Sequence, residues 1–376
     1  MSLPTDVAPA GHYSWSTDLS FTDADTRTKK MEATVDEWFQ AFQHNLPTPM
    51  GLAQLDDWLR MQARLPYASV RNTLLLCGQH PTATELRTYD GWAAASSGPD
   101  APHLRGASAI WIWDPVVARQ CPGCGRGHYA HDVSNSDDTV ECTDIDPGRW
   151  EYGIVDTTPT ALFARDQWSD GFTTPPDDSQ KDATVSVRPP TAGPNEHRPD
   201  LSEDASRTPD PGRLPKPTSP AALLECLKDL AEPLPLQLEF VDSNSYSFVE
   251  PAVVGTRDTY TLIPRVQADP QTAPSTLAAE LLRDYSEVLV APDISDHDEL
   301  RRRRLEAEAT AYAAAIALGH GSRLQIPIDV PTSVDQWGHD SIATLQTRCT
   351  RIRNSLAHVL EAAISTTHPT VGRSTQ

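Results

Sequence analysis

The chain has 376 residues, with 52 acidic against 31 basic side chains and a net charge of -21. That length suits two domains of ordinary size. The acidity excludes a protein that holds nucleic acid by bulk charge alone, so any such binding needs a local basic face or stacking contacts. Arg far outnumbers Lys, and an acidic, Lys-poor surface is what the salt-rich cytoplasm of a halophilic archaeon favours. No apolar run approaches a membrane span, and the N-terminus has no apolar signal core. The expectation is a cytoplasmic protein with no membrane partner.

Residues 1–30 are polar and aperiodic, and read as a disordered arm. Val35, Trp38, Phe39 and Phe42 then take helical spacing. A second helix follows Pro49, with Leu52, Leu55, Trp58, Leu59 and Met61 on one side. A third covers Ser69 to Cys77 and stops before Gly78 and Pro81. The clearest strand is Ala109 to Trp113, with Asp114-Pro115 expected to end it. Alternation places Trp111 and Trp113 on one face and Ile110 and Ile112 on the other. Trp150 to Phe163 suggests one or two more strands.

Between these strands lies a cysteine cluster. Cys121 and Cys124 have the two-residue spacing that lets two thiolates grip one ion from a tight turn, and Cys142 adds a third sulfur. His128 and His131 are both in range for the fourth ligand; the longer step from Cys124 favours His131. Three thiolates and one imidazole form a closed tetrahedral set, the pattern of a structural Zn2+ site. A redox thiol pair needs neither the third Cys nor the His. Cys77, Cys226 and Cys349 stand alone in apolar stretches and read as small buried hydrophobes, without a disulfide framework.

The window from Phe172 to Pro220 holds 11 of the 33 prolines and almost no aromatics. Such a segment cannot bury enough apolar surface to offset its ordering, so residues 172–219 read as a disordered linker. As a flexible coil its ends would lie on the order of 40 Å apart. Beyond it, Leu223, Leu224, Leu227 and Leu230 mark a helix. Strands are expected at Leu236–Val241, Phe248–Val253 and Thr259–Ile263, and helices at Ser275–Val290, Glu299–Leu318 and Ile342–Ile364, before a polar tail at 366–376. The fold class expected is α+β in two domains. The first, over 31–171, is a helix-plus-small-sheet domain with a zinc-ribbon-like insertion at 121–142; the second covers 220–365.

Several separated motifs occur in a telling order. They are Tyr67-Ala68-Ser69-Val70-Arg71-Asn72-Thr73-Leu74-Leu75-Leu76, then Gln79-His80-Pro81-Thr82-Ala83-Thr84, then Tyr89-Asp90-Gly91-Trp92, with Leu162-Phe163-Ala164-Arg165-Asp166-Gln167 further on. This series resembles the N-terminal domain of ArdC-like antirestriction proteins. In the second half, Thr276 to Arg283 and Arg304 to Tyr312 resemble the helix pair of a zincin domain of the ImmA/IrrE type. There one helix carries His-Glu-x-x-His and a later helix supplies a Glu ligand. On that pattern Ala279 and Arg283 stand where the two His should be, Glu280 keeps the general-base position, and Glu306 or Glu308 would be the third ligand. A methyl cannot ligate and a guanidinium repels a dication, so metallopeptidase chemistry is disfavoured.

The resemblance implies a single-stranded-DNA-binding domain joined to a degenerate zincin-like domain, in a protein of plasmids or other mobile elements. Single-strand binding needs stacking faces and phosphate partners. Tyr67, Trp92, Trp111 and Trp113 are candidate faces; Arg64, Arg71, Arg87 and Arg105 are candidate phosphate partners; Asn72 and Gln79 can bond bases or local turns. The set expected at the interface is Tyr67, Arg71, Asn72, Arg87, Trp92 and Arg105. Two alternatives stand beside it: a zinc peptidase using His297, His320 or His339, and a pseudo-peptidase that holds a restriction enzyme or another host protein without cutting it.

Overall fold

The computed structural model describes residues 23–46, 48–95, 108–120, 151–167, 216–230, 236–240, 248–256, 259–291, 297–321, 337 and 340–367. Among these residues the chain is α+β, with eight α-helices and two three-stranded sheets. No described helix is long and apolar enough to cross a membrane. The chain gathers into two compact units. Unit 1 takes residues 34–82 and 207–376 with 1–16, and unit 2 takes 17–33 and 83–206.

α2 at Pro49–Arg64 and α3 at Val70–Gln79 form where the apolar spacing places them, whereas α1 at Ala24–Asn45 begins inside the stretch read as a disordered arm, with Met31 already buried ahead of Val35. Thr48 and Ser69 cap α2 and α3 by accepting the backbone N–H of Gly51 and Asn72, and Pro49 supplies a preset dihedral at the first helical position of α2. Trp38 and Phe42 stack within α1 at 4.7 Å between ring centroids. Further along are α5 at Pro220–Asp229, α6 at Pro274–Val290, α7 at His297–Ala317 and α8 at Ile342–Thr367.

Unit 1 is organised around α7, against which α2, α6 and α8 all pack. Ala307, Ala309, Ala311, Ala313, Ala314 and Ala315 are each at most 1 % exposed. A helix buried on every side must carry small residues where its neighbours approach closely, which is what the alanine run provides. The unit's sheet has the order β4-β6-β5, from Gln237–Phe240, Thr259–Ala268 and Phe248–Thr256. Here β4 runs parallel to β6, and β5 runs antiparallel to it.

Sequence-remote helices of unit 1 are clasped by polar side chains. Asp56 on α2 accepts from Arg60 Nε at 2.8 Å and from the Tyr312 hydroxyl of α7 at 2.7 Å, and Arg60 Nη2 donates to that hydroxyl at 2.6 Å. Arg353 on α8 donates to the carbonyls of Tyr67 and Ala68.

Unit 2 holds β1 at Leu86–Arg87, α4 at Tyr89–Ala95, β2 at Ile110–Gln120 and β3 at Glu151–Ala164, in the sheet order β1-β3-β2 with all pairs antiparallel. β2 does not stop at Asp114-Pro115. It runs on to Gln120, with Pro115 opposite Thr157 and a register shift between Val116 and Val117. Pro115 sits on an edge strand, where a missing N–H can face away from the ladder, but Pro159 and Pro264 stand in the central strands β3 and β6, so edge position alone does not account for the continuation. Neither sheet face is open at the start of β2: Ile110 and Trp113 are buried, and Trp111 and Ile112 are half-buried.

Candidate functional site

The most ordered candidate surface is the turn that joins α2 to α3 and its exit into α3. Gln62 is fully buried, an outlier between Met61 and Ala63 on an apolar stripe. Its amide nitrogen donates to the carbonyls of Leu65, Pro66 and Ala68, and its oxygen accepts from the Thr73 hydroxyl at 3.0 Å. The indole N–H of Trp58 donates to the same hydroxyl at 3.0 Å. With Arg353 holding Tyr67 and Ala68 from the other side, the turn is pinned twice.

The pinned segment carries Tyr67, Arg71 and Asn72 within six residues of chain. Arg71 is exposed at the first turn of α3, and Asn72 is half-buried with its backbone N–H given to Ser69 Oγ at 3.2 Å. Tyr67 is half-buried, and its hydroxyl finds no hydrogen-bond partner among the described residues. Burial, reinforced by the nearby Glu361 carboxylate and offset by Arg353, pushes its phenol up to about 12. The segment therefore offers a cation, an amide and the edge of an aromatic ring on a rigid support.

In unit 2 the expected residues serve mainly as structure. Trp92 is 4 % exposed and its indole N–H donates to the carbonyl of Phe163 at 2.8 Å, so its ring has no face left for a base. Arg87 pairs with Glu85 at 2.6 Å and lies over the Trp92 ring, 4.9 Å from its centroid. Gln167 bridges two segments by accepting from Ala164 N–H and donating to the carbonyl of Ser108. Trp111 is covered by the Arg27 guanidinium at 3.6 Å. Arg64 of unit 1 donates to the carbonyl of Pro81, and Gln79 to that of Leu75. Arg105 and the ligand set Cys121, Cys124, His131 and Cys142 lie outside the described residues, as do His128 and His339.

The facing sides of α6 and α7 hold a second cluster. Glu280, Asp284 and Glu287 are spaced to share one face of α6. Arg283 donates to Asp284 from Nη2 at 3.0 Å and from Nε at 3.3 Å, with Asp284 only 1 % exposed. Buried Glu308 on α7 accepts from Arg304 Nε at 3.0 Å. Burial, with Asp284 beside it and Glu308 adding to the effect, raises the Glu287 carboxyl to about 7 against the pull of Arg283 and Arg304. A carboxyl poised there can hold or release a proton near neutrality. Sequence reading passed over Glu287; its spacing of three and seven residues from Asp284 and Glu280 was the available signal.

Glu306 takes a different role. It is fully buried and accepts from Arg348 Nη1 at 2.6 Å and from Arg351 Nη1 at 2.5 Å, both on α8. Arg348 also reaches Asp340 at 2.6 Å and lies over the ring of buried Trp337. Buried His320 has its Nε2 2.8 Å from the carbonyl of Pro217, which ties that ring to the backbone. Among the described residues, no three His, Cys, Asp or Glu side chains are spaced to hold a metal ion. The described cysteines Cys77, Cys226 and Cys349 form no disulfide; Cys349 is buried, and Cys77 and Cys226 are partly exposed.

Comparison with protein-family models, curated proteins and solved structures finds no match to this chain.

Proposed function

We propose that the chain is a non-catalytic, single-stranded-DNA-binding protein of the ArdC-like type, with a structural zinc at Cys121, Cys124, His131 and Cys142 and a degenerate zincin-like domain formed by the second half. The observation that carries the DNA reading is the doubly pinned turn from Leu65 to Asn72. It presents exposed Arg71 beside Asn72 and Tyr67 on a support that needs no ordering when a strand binds. Arg71 would neutralise a phosphate and Tyr67 would meet a base at its edge.

The non-catalytic part of the proposal is supported at α6 and α7. Where a zincin of the ImmA/IrrE type would carry two imidazoles, this chain has Ala279 and Arg283, and the Arg283 guanidinium is bound to Asp284. Glu306 and Glu308, the two residues available as a third ligand, accept from arginines instead. Glu306 is thus held by two largely enclosed guanidiniums and Glu308 by the more exposed one of Arg304, and each cation competes with any dication for the same oxygens. A biological role in plasmid or mobile-element antirestriction, in a cytoplasm rich in salt, rests on the family resemblance.

The test compares wild type and Arg71→Glu by fluorescence anisotropy with a labelled single-stranded oligonucleotide. The charge reversal is expected to weaken binding by about tenfold or more, since it replaces a phosphate contact by a repulsion. Equal affinities would remove the turn from the interface.

A further inference from the structure

Unit 1 contains a cavity of about 460 Å³ where α5, the end of β4 and the connection from β6 to α6 meet. That volume lies within the roughly 300–1,000 Å³ of small-molecule sites. Its lining combines apolar Leu224, Leu277 and Phe240 with polar Lys228, Gln271 and Thr272. Phe240 is 40 % exposed. A single exposed phenylalanine is ordinary, but this one borders a concavity and has a cation beside it: the Lys228 ammonium sits 5.3 Å from its ring centroid.

The topology favours the same place. β4 and β6 are parallel neighbours, with their final residues Phe240 and Ala268 paired in register. The cavity lies beyond those carboxyl ends, at the loop that leads into the next helix. Open α/β sheets place their ligands in that position, because the connecting loops there can be shaped without disturbing the sheet. The cavity also borders the start of α6, where Ala273 supplies no side-chain cap, so the backbone dipoles at that wall favour negative charge.

Lys228 is at present paired with Glu225 at 2.7 Å, and the Glu225 side chain is 70 % exposed. A pair of this kind is worth little and exchanges readily for another anion. We infer that the cavity binds a small organic acid with a flat apolar body. The body lies against Phe240, Leu224 and Leu277, and the acid group displaces Glu225 from Lys228, with Gln271 and Thr272 as further donors.

The test uses the intact chain at low salt with 2-naphthoate and its neutral counterpart 2-naphthylmethanol, followed by calorimetry. Naphthoate is expected to bind at one site per chain, with the neutral alcohol at least about tenfold weaker because it cannot recruit Lys228. Lys228→Glu and the less drastic Lys228→Met should each weaken naphthoate by a similar factor, and Thr272→Trp should abolish binding by filling the space. Saturation-transfer contacts between naphthoate and the Phe240 ring check the location in wild type, without relying on the folding of any variant. Absence of naphthoate binding, equal binding of acid and alcohol, or affinity unchanged in the Lys228 variants would overturn the inference.

Discussion

Removing the Glu306 carboxylate should expose how unit 1 is held together. Glu306 is fully buried, and its two oxygens accept from Arg348 and Arg351 at 2.6 and 2.5 Å, which joins α7 to α8. Glu306→Ala leaves Arg348 with Asp340 and deprives Arg351 of its carboxylate partner here. Stripping one partner from a buried ion network costs about 3–5 kcal/mol. The arginine side chains are 14 % and 27 % exposed, so water can recover part of that loss and the lower end is expected. In a structure of this size, about 3 kcal/mol lowers the melting temperature by roughly 6–12 °C. Because the carboxylate is shielded from solvent ions, the loss should be nearly the same in dilute buffer and in molar KCl. Denaturant unfolding of wild type and variant at both salt levels measures it. A destabilisation below about 1 kcal/mol, or one that vanishes in high salt, would place the network among ordinary surface pairs and refute the reasoning.

Other outcomes follow from the same geometry. Thr73→Val removes the hydroxyl that accepts from Trp58 and donates to Gln62, and should cost about 1–3 kcal/mol by denaturant unfolding, since two buried polar groups lose their partner. Tyr312→Phe should cost about 0.5–1.5 kcal/mol, and little more in Asp56→Ala/Tyr312→Phe, because both substitutions act on one clasp. Glu287 has a carboxyl raised to about 7, so the folded state binds its proton more tightly than the unfolded chain does. Its stabilising contribution is present below the ordinary carboxylate range and is lost as pH rises through about 7. Glu287→Gln should therefore gain stability relative to wild type between pH 5 and pH 8; a gap that does not widen with pH would show that the carboxyl is not held protonated. One zinc per chain is expected on metal analysis, and Cys121→Ser with Cys124→Ser should remove it.

Much of the fold could be read in advance, for identifiable reasons. The apolar stripes from Val35 to Phe42 and from Leu55 to Met61 gave helices whose large apolar side chains there are buried, because burial of one face is what the spacing encodes. The same stripes do not encode a partner. That α2 clasps α7 through Asp56, Arg60 and Tyr312 depends on residues scattered more than two hundred positions apart, and no local pattern distinguishes them from surface charges. The extension of β2 past Pro115 was hidden for a similar reason: whether a proline ends a strand depends on whether its missing N–H falls at a ladder position, and sequence does not reveal the register.

The candidate site divides in the same way. Arg71 and Asn72 were legible through a motif, and they sit on a turn whose rigidity comes from Gln62, Thr73 and Arg353; Thr73 lies within that motif, but Gln62 and Arg353 lie outside it. Trp92 was legible as an aromatic, but its burial against the Phe163 carbonyl follows from tertiary packing that composition cannot show. Arg283 on α6 was visible as a departure from a ligand pattern. Arg283 pairs with Asp284 and Arg304 with Glu308, which gives each buried carboxylate a cationic partner.

The most direct measurement of the proposed function is a titration of a fluorescently labelled single-stranded oligonucleotide with the intact chain in molar KCl, read by anisotropy and repeated with the duplex as competitor. Binding in the micromolar range or tighter, competed by unlabelled single strand and little affected by duplex, is the expected result, because stacking survives salt that screens phosphate charge. No rise in anisotropy at tens of micromolar protein, or equal competition by duplex, would contradict it.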